Sequence, residues 1–133
     1  MRLTVHGKHF YLDGRPHFLR TVTYGPFPET SGHSPEKDFP QIRSAGFDSV
    51  RVYALPDRDL LDHAAQNDLI VIATHAWGHG CDFITENPSL LDQARRDLTA
   101  WLESHKNHPG LGAILVGNEI PSDMARWMTP WKV

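Results

Sequence analysis

Apolar residues along this chain fall in short unbroken runs, separated by segments whose apolar positions recur at helical spacing. Over residues 3–24 the apolar positions are Val5, Phe10, Leu12, Phe18 and Leu19. This stretch reads as strands, with Asp13-Gly14 as a hairpin turn signal. The run Phe18 to Tyr24 (FLRTVTY) is rich in β-branched and aromatic residues and predicts the first strand of the main fold. A loop of Gly, Pro, Ser and Thr follows, from Gly25 to His33. Ser34-Pro35-Glu36 predicts a helix start: a Ser cap, a Pro in the first turn, and an acid favoured by the helix dipole. Phe39, Ile42 and Ala45 are its apolar positions, and Gly46 ends it. Ser49 to Leu55 (SVRVYAL) predicts a buried strand. Pro56 begins a second helix with Leu60, Leu61, Ala64 and Ala65 at helical spacing. Leu69 to Thr74 (LIVIAT) predicts the third strand, before a loop carrying His75, Trp77, Gly78, His79 and Gly80. Asn87-Pro88 opens a longer helix, with Leu91, Ala94, Leu98, Trp101 and Leu102 on one face. His108-Pro109-Gly110 breaks it, and Leu111 to Val116 (LGAILV) predicts the fourth strand, ahead of Gly117-Asn118-Glu119.

After an N-terminal β-hairpin (1–17), residues 18–133 therefore alternate strand and helix. The strands are continuously apolar, the mark of a parallel sheet covered by helices. Crossovers in such a sheet are right-handed. An open doubly wound sheet would carry a glycine-rich phosphate loop after its first strand. Tyr24-Gly25-Pro26-Phe27-Pro28 is not such a loop, and its prolines remove backbone donors. The pattern favours an α/β fold of barrel type: the N-terminal half of a (β/α)8 TIM barrel, with about four parallel strands. No linker, repeat or low-complexity tract divides the chain, so 1–133 reads as a single partial domain.

Composition narrows the function classes. The chain has 133 residues, 40% hydrophobic and 22% charged, with a net charge of −3. These values exclude a disordered tail. There is no basic excess to neutralise phosphates, so no nucleic-acid partner is expected. No apolar run approaches the roughly 20 residues that cross a bilayer. The start, MRLTVHGKHF, lacks the core of a signal peptide, which makes the cytoplasm the default expectation. Cys81, the one cysteine, forms no internal disulfide.

If the fold is a barrel, its site lies at the carboxyl ends of the strands. Those ends carry Tyr24, then Arg51 and Tyr53, then His75 and Trp77, then Asn118 and Glu119. Polar residues also mark strand ends generally, so the set carries more weight than any member. Glu119 lies between apolar Val116 and Ile120, where desolvation raises a carboxyl pKa toward general-acid range. Asn118 offers a donor and an acceptor suited to a sugar hydroxyl. Equally, Asn118-Glu119 reads as the cap of a helix with Pro121 in its first turn. Arg51 interrupts an apolar strand and needs an anion, either in a site or in a structural salt bridge. His75 and His79 lack a third ligand at metal spacing, so no metal is expected. His6, His9, His17, His33 and His63 read as surface residues. Trp77 suits stacking on a sugar face, and Trp101 suits the helix core. There is no nucleophile elbow and no P-loop.

These residues also resemble a known group. Phe18-Leu19-Arg20, Thr23-Tyr24-Gly25-Pro26-Phe27 and Ala45-Gly46-Phe47-Asp48-Ser49-Val50-Arg51-Val52-Tyr53 resemble the opening of clan A glycoside hydrolases (families 2 and 5 and their relatives). Thr74-His75-Ala76-Trp77 fits their third strand. His108-Pro109 with Val116-Gly117-Asn118-Glu119-Ile120-Pro121 resembles their fourth strand and its Asn-Glu pair. More narrowly, Gly117 to Trp127 resembles the glycosidase-type domains found ahead of family 2 glycosyltransferase modules. The resemblance implies a retaining two-carboxylate glycosidase or transglycosidase acting on β-linked carbohydrate, without a cofactor. It implies Glu119 as general acid/base and Asn118 as the hydrogen-bond partner of the 2-hydroxyl. It implies Arg51 as the residue holding the nucleophile carboxylate, and Tyr24, Tyr53, His75 and Trp77 as substrate contacts.

The chain departs from that pattern at Val133, just after strand four, whereas a full barrel needs about 250 residues. The family's nucleophile, a Glu at the end of strand seven, is not in it. The expectation is a fragment carrying the acid/base, inactive alone, that self-associates or pairs with a missing barrel half. Besides an oligo- or polysaccharide, a fused glycosyltransferase module is an expected partner. The alternative is a non-catalytic, glycan-binding or self-assembling half barrel.

Overall fold

The computed structural model describes residues 2–75, 88–118, 122 and 126. Three short antiparallel strands come first: β1 (Leu3–His6), β2 (His9–Leu12) and β3 (Arg15–His17). The expected hairpin is β2–β3, turning on Asp13 and Gly14 with φ of 48° and 80°. Two positive φ values in a two-residue loop suit the right-handed twist of the strands it joins. A second turn at Gly7, with φ of 61°, adds β1 and makes the hairpin a three-stranded meander.

Four parallel strands follow in the order β4-β5-β6-β7: β4 (Thr21–Thr23), β5 (Ser49–Arg51), β6 (Ile70–Thr74) and β7 (Leu111–Leu115). Between them run α1 (Pro35–Ser44), α2 (Arg58–Gln66) and α3 (Pro88–His105). Each strand pairs with the next in chain order, as it does around a β/α barrel. None of these helices is long and apolar enough to cross a membrane.

The strands are shorter than their apolar runs. The predicted 18–24 and 49–55 strands shrink to three residues each. The second helix starts after Pro56, because Asp57 is the true cap: its carboxylate accepts the Leu60 N–H at 2.9 Å. Helix α1 ends as glycine predicts. Gly46 has φ of 91°, its N–H donates to Arg43 O at 3.0 Å, and the Phe47 N–H donates to Ile42 O at 3.3 Å. That pair of bonds closes a Schellman motif. Helix α2 ends in the same motif with Asp68, φ 52°, where glycine is usual.

The main core lies between the sheet and its outer helices. Phe39, Val50, Leu61, Ala64, Leu69, Val71 and Ala73 are fully buried there. Trp101 packs against this cluster, as expected, and its Nε1–H donates to Pro56 O at 2.8 Å. On the other face of the sheet, Gly112 permits a close approach. A Cβ there would lie 2.0 Å from Ile70 Cγ2 and 3.4 Å from Leu3 Cδ2. Leu3 thus brings the N-terminal meander against the sheet.

A buried carboxylate fixes that attachment. Asp48, 3% exposed, accepts the Arg20 N–H at 2.8 Å and meets His17 Nε2 at 2.8 Å. Contrary to expectation, His17 is therefore half-buried and hydrogen-bonded to Asp48 rather than a surface residue. His63 is also half-buried, beside Asp59 one helical turn earlier.

Candidate active site

The carboxyl ends of β5, β6 and β7 bring part of the expected set together. Arg51 ends β5, and its Nη2 donates to Asn118 Oδ1. Strand β6 lies between those two residues in the sheet. The Arg51 side chain therefore spans one strand to reach the segment after β7. Its guanidinium carbon also sits 4.8 Å from the centre of the Tyr53 ring, a cation–π contact worth about 0.5–2 kcal/mol depending on desolvation. The sequence left open whether Arg51 pairs in a salt bridge. Among the described residues its partner is a neutral amide.

Two polar atoms here are buried with no hydrogen-bond partner among the described residues: Arg51 Nε and Thr74 Oγ1. Leaving such groups unpaired costs about 1–3 kcal/mol each, more for a charged one. Buried polar groups in native proteins are nearly always satisfied, so both atoms mark a place where a further polar group belongs. Thr74 was not singled out from sequence, where it reads as the last residue of a buried strand.

His75 follows β6, and its backbone N–H donates to Leu115 O at 2.8 Å, tying the ends of β6 and β7. Trp77 and Glu119, the stacking residue and the acid/base of the sequence reading, lie outside the described residues.

Tyr24 occupies the end of β4, and its N–H donates to Arg51 O at 2.8 Å. Its side chain belongs to a second cluster. The Tyr24 hydroxyl donates to Asp38 Oδ2 at 2.9 Å. The same oxygen accepts from His33 Nδ1 at 3.1 Å and from the Ser34 N–H at 3.1 Å. Burial raises the Asp38 pKa, but the hydrogen bonds from Tyr24 and His33, the His33 charge and the Ser34 N–H together hold it below the usual carboxylate value. Burial, then the hydrogen bond to Asp38 and its charge, push the Tyr24 phenol well above its ordinary value. An ionised Asp38 accepts only, so His33 Nδ1 is the donor in their bond, and Nε2 makes no bond to Asp38.

Aromatic packing completes the cluster. The Phe27 ring stacks on His33 with centres 4.4 Å apart, and Tyr24 stands edge-on to Phe27 at 4.9 Å and to Phe39 at 5.0 Å. Sequence reasoning missed Phe27, His33 and Asp38 as a group. Their only local signal was an acid four residues after the Ser34 cap.

Among the described residues, no group of three or more His, Cys, Asp and Glu side chains is placed to hold a metal ion.

No family model matches this chain, and no curated protein matches it. Its fold does match a solved structure, the endo-1,4-beta-mannanase from Rhizomucor miehei, with a TM-score of 0.66 and 15% identity. The match covers 90% of this chain and 49% of that one, so this chain spans about half the length of the mannanase. At that identity the likeness defines the fold alone: four parallel strands with three intervening helices, arranged as in half of a β/α barrel.

Proposed function

We propose that this chain supplies the acid/base half of a retaining glycosidase or transglycosidase acting on β-linked carbohydrate. The observation that carries the reading is the Arg51–Asn118 contact at the strand ends, with Arg51 Nε buried and unpartnered beside it. A guanidinium nitrogen buried without a partner is costly to keep. Asn118, bonded by Arg51, immediately precedes Glu119 in the chain.

In this reading Glu119 protonates the leaving oxygen and then activates water or an acceptor hydroxyl. A second carboxylate attacks the anomeric carbon from about 5–5.5 Å away. That carboxylate comes from the remaining barrel units and meets Arg51. Asn118 bonds the sugar 2-hydroxyl, and Tyr53, His75 and Trp77 line the cleft.

The fold similarity makes β-1,4-mannan the first substrate to try. The test is turnover of mannan and of aryl β-glycosides by the native gene product and by its Glu119→Gln variant. Loss of about 10²–10⁴-fold on poor leaving groups, with a smaller loss on activated aryl glycosides, is expected. Unchanged mannan turnover in the variant would sink the assignment.

A second reading, a glycan-binding or self-assembling half barrel, draws on the sheet ends. Among the described residues β4 pairs only with β5, and β7 only with β6. Leu115, at one end, is exposed. Parallel sheet edges need covering, by further barrel units or by a second copy. Sedimentation of the chain over a wide concentration range separates these cases: a monomer throughout excludes the second copy.

A further inference from the structure

The Tyr24–Asp38–His33 cluster faces a surface pocket of about 250 Å³, whose lining is completed by Thr23, Phe27, Gln41 and Ile42. We infer that this pocket is a subsite for one uncharged pyranose ring, one strand away from the Arg51 centre. The inference deepens the glycosidase reading and rests on it.

Size sets the first limit. Pockets that enclose a drug-sized ligand run to about 300–1,000 Å³, so this one suits a single ring rather than several. Charge sets the second. The one carboxylate in the pocket already accepts from a phenol, an imidazole and a backbone N–H. It has little attraction left for a cation, and it repels an anion.

The remaining groups match the two surfaces of a pyranose, an apolar C–H face and a rim of hydroxyls. Phe27 is 42% exposed, while Tyr24 and His33 hold its ring in place. A fixed, accessible aromatic ring offers apolar area at little entropic cost. Around it stand groups that exchange hydrogen bonds with hydroxyls: His33 Nε2, the Thr23 hydroxyl and the Gln41 side-chain carbonyl. Gln41 is anchored through its Nε2, which donates to Lys37 O at 3.1 Å. Its carbonyl oxygen is left to accept from a ligand hydroxyl. The Tyr24 N–H to Arg51 O bond of 2.8 Å ties this wall directly to the strand-end centre. A glycan lying across the strand ends would place one ring here and another at Arg51.

The test titrates the isotope-labelled full chain with methyl β-mannoside, β-glucoside and β-galactoside, following backbone amides by NMR. Acetate and inorganic phosphate serve as charged controls. At least one pyranoside should shift the amides of Thr23, Phe27, His33 and Gln41 saturably, with neither control doing so. Phe27→Ala should weaken that binding about tenfold, equivalent to about 1.4 kcal/mol. Gln41→Leu, at an exposed helix position, should weaken it several-fold and guards against misfolding of the first variant. Three results would each overturn the subsite: no saturable shift, shifts indifferent to both variants, or stronger shifts with phosphate or acetate. If the subsite fails while Glu119→Gln still abolishes mannan turnover, the glycosidase reading stands alone. If saturable binding is found and Glu119→Gln changes nothing, glycan binding survives and catalysis falls.

Discussion

Asp48 gives the most direct test of how this fold is held together. Its carboxylate, 3% exposed, is the junction between the N-terminal meander and the parallel sheet. One oxygen accepts the Arg20 N–H at 2.8 Å, and the other meets His17 Nε2 at 2.8 Å. The Ser49 hydroxyl lies 3.3 Å away, and Arg20 Nε 3.8 Å. Bonds to a charged group contribute about 1.5–3 kcal/mol each, so the two short ones bound the loss in Asp48→Ala at about 3–6 kcal/mol. The His17 side chain is 29% exposed and that of Arg20 is 64% exposed. Both regain water in the variant, which places the expected loss near the low end, about 3–4 kcal/mol. Asp48→Asn keeps one acceptor oxygen and should lose about 1–2 kcal/mol. Urea unfolding analysed by linear extrapolation reads these differences directly. His17→Ala should cost about 1 kcal/mol in the wild-type background and almost nothing in Asp48→Ala, because the bond is already gone. A loss below about 1 kcal/mol in Asp48→Ala, or full additivity of the two variants, would refute the argument that this carboxylate joins the two sheets.

Other expectations follow from the same geometry. Asp38 has a folded pKa below its ordinary value of 3.8. Its contribution to stability is therefore present above about that pH and is lost as acid titrates it through the lower folded value. Asp38→Asn should flatten the acid limb of a stability-versus-pH curve, and an unchanged limb would count against the cluster. Tyr24 works in the opposite direction: its folded pKa lies above the ordinary 10.0, so its contribution is present below that pH and lost as pH rises beyond it. Tyrosinate absorbance of Tyr24 should appear only with alkaline unfolding, and Tyr24→Phe should remove that component. Gly110→Ala would place a Cβ 2.3 Å from Leu61 O and 3.3 Å from His108 Nδ1. The clash is with backbone that cannot rotate away, so a cost of about 1–3 kcal/mol is expected in thermal or urea unfolding, and a neutral result would contradict the packing of this loop on α2.

Much of the architecture is written locally in the sequence. Continuous apolar runs at 49–55, 69–74 and 111–116 are enough to specify buried parallel strands, because only a sheet covered by helices removes alternation. Pro35 and Gly46 bracket α1 through backbone constraints that act within a few residues. Asp13-Gly14 sets its turn by the same kind of local preference. Strand ends are recognisable where an apolar run gives way to Arg51, His75 or Asn118, and that sufficed to put Arg51 and Asn118 on one list.

The pairings themselves depend on folding. Arg51 needed an anion or a salt bridge by sequence logic, yet its described partner is Asn118, 67 residues away and across an intervening strand. His17 read as a surface residue because its partner Asp48 lies 31 residues on and meets it only after the meander packs against the sheet. His33 and Asp38 carry no motif, and Tyr24 draws them together with Phe27 because the loop after β4 folds back onto the first turn of α1. Backbone propensity and burial act over a few residues and so are legible in the chain. Hydrogen-bond partners separated by dozens of residues are chosen by which strand ends and loops the tertiary fold brings within 3 Å, and no local pattern encodes that choice.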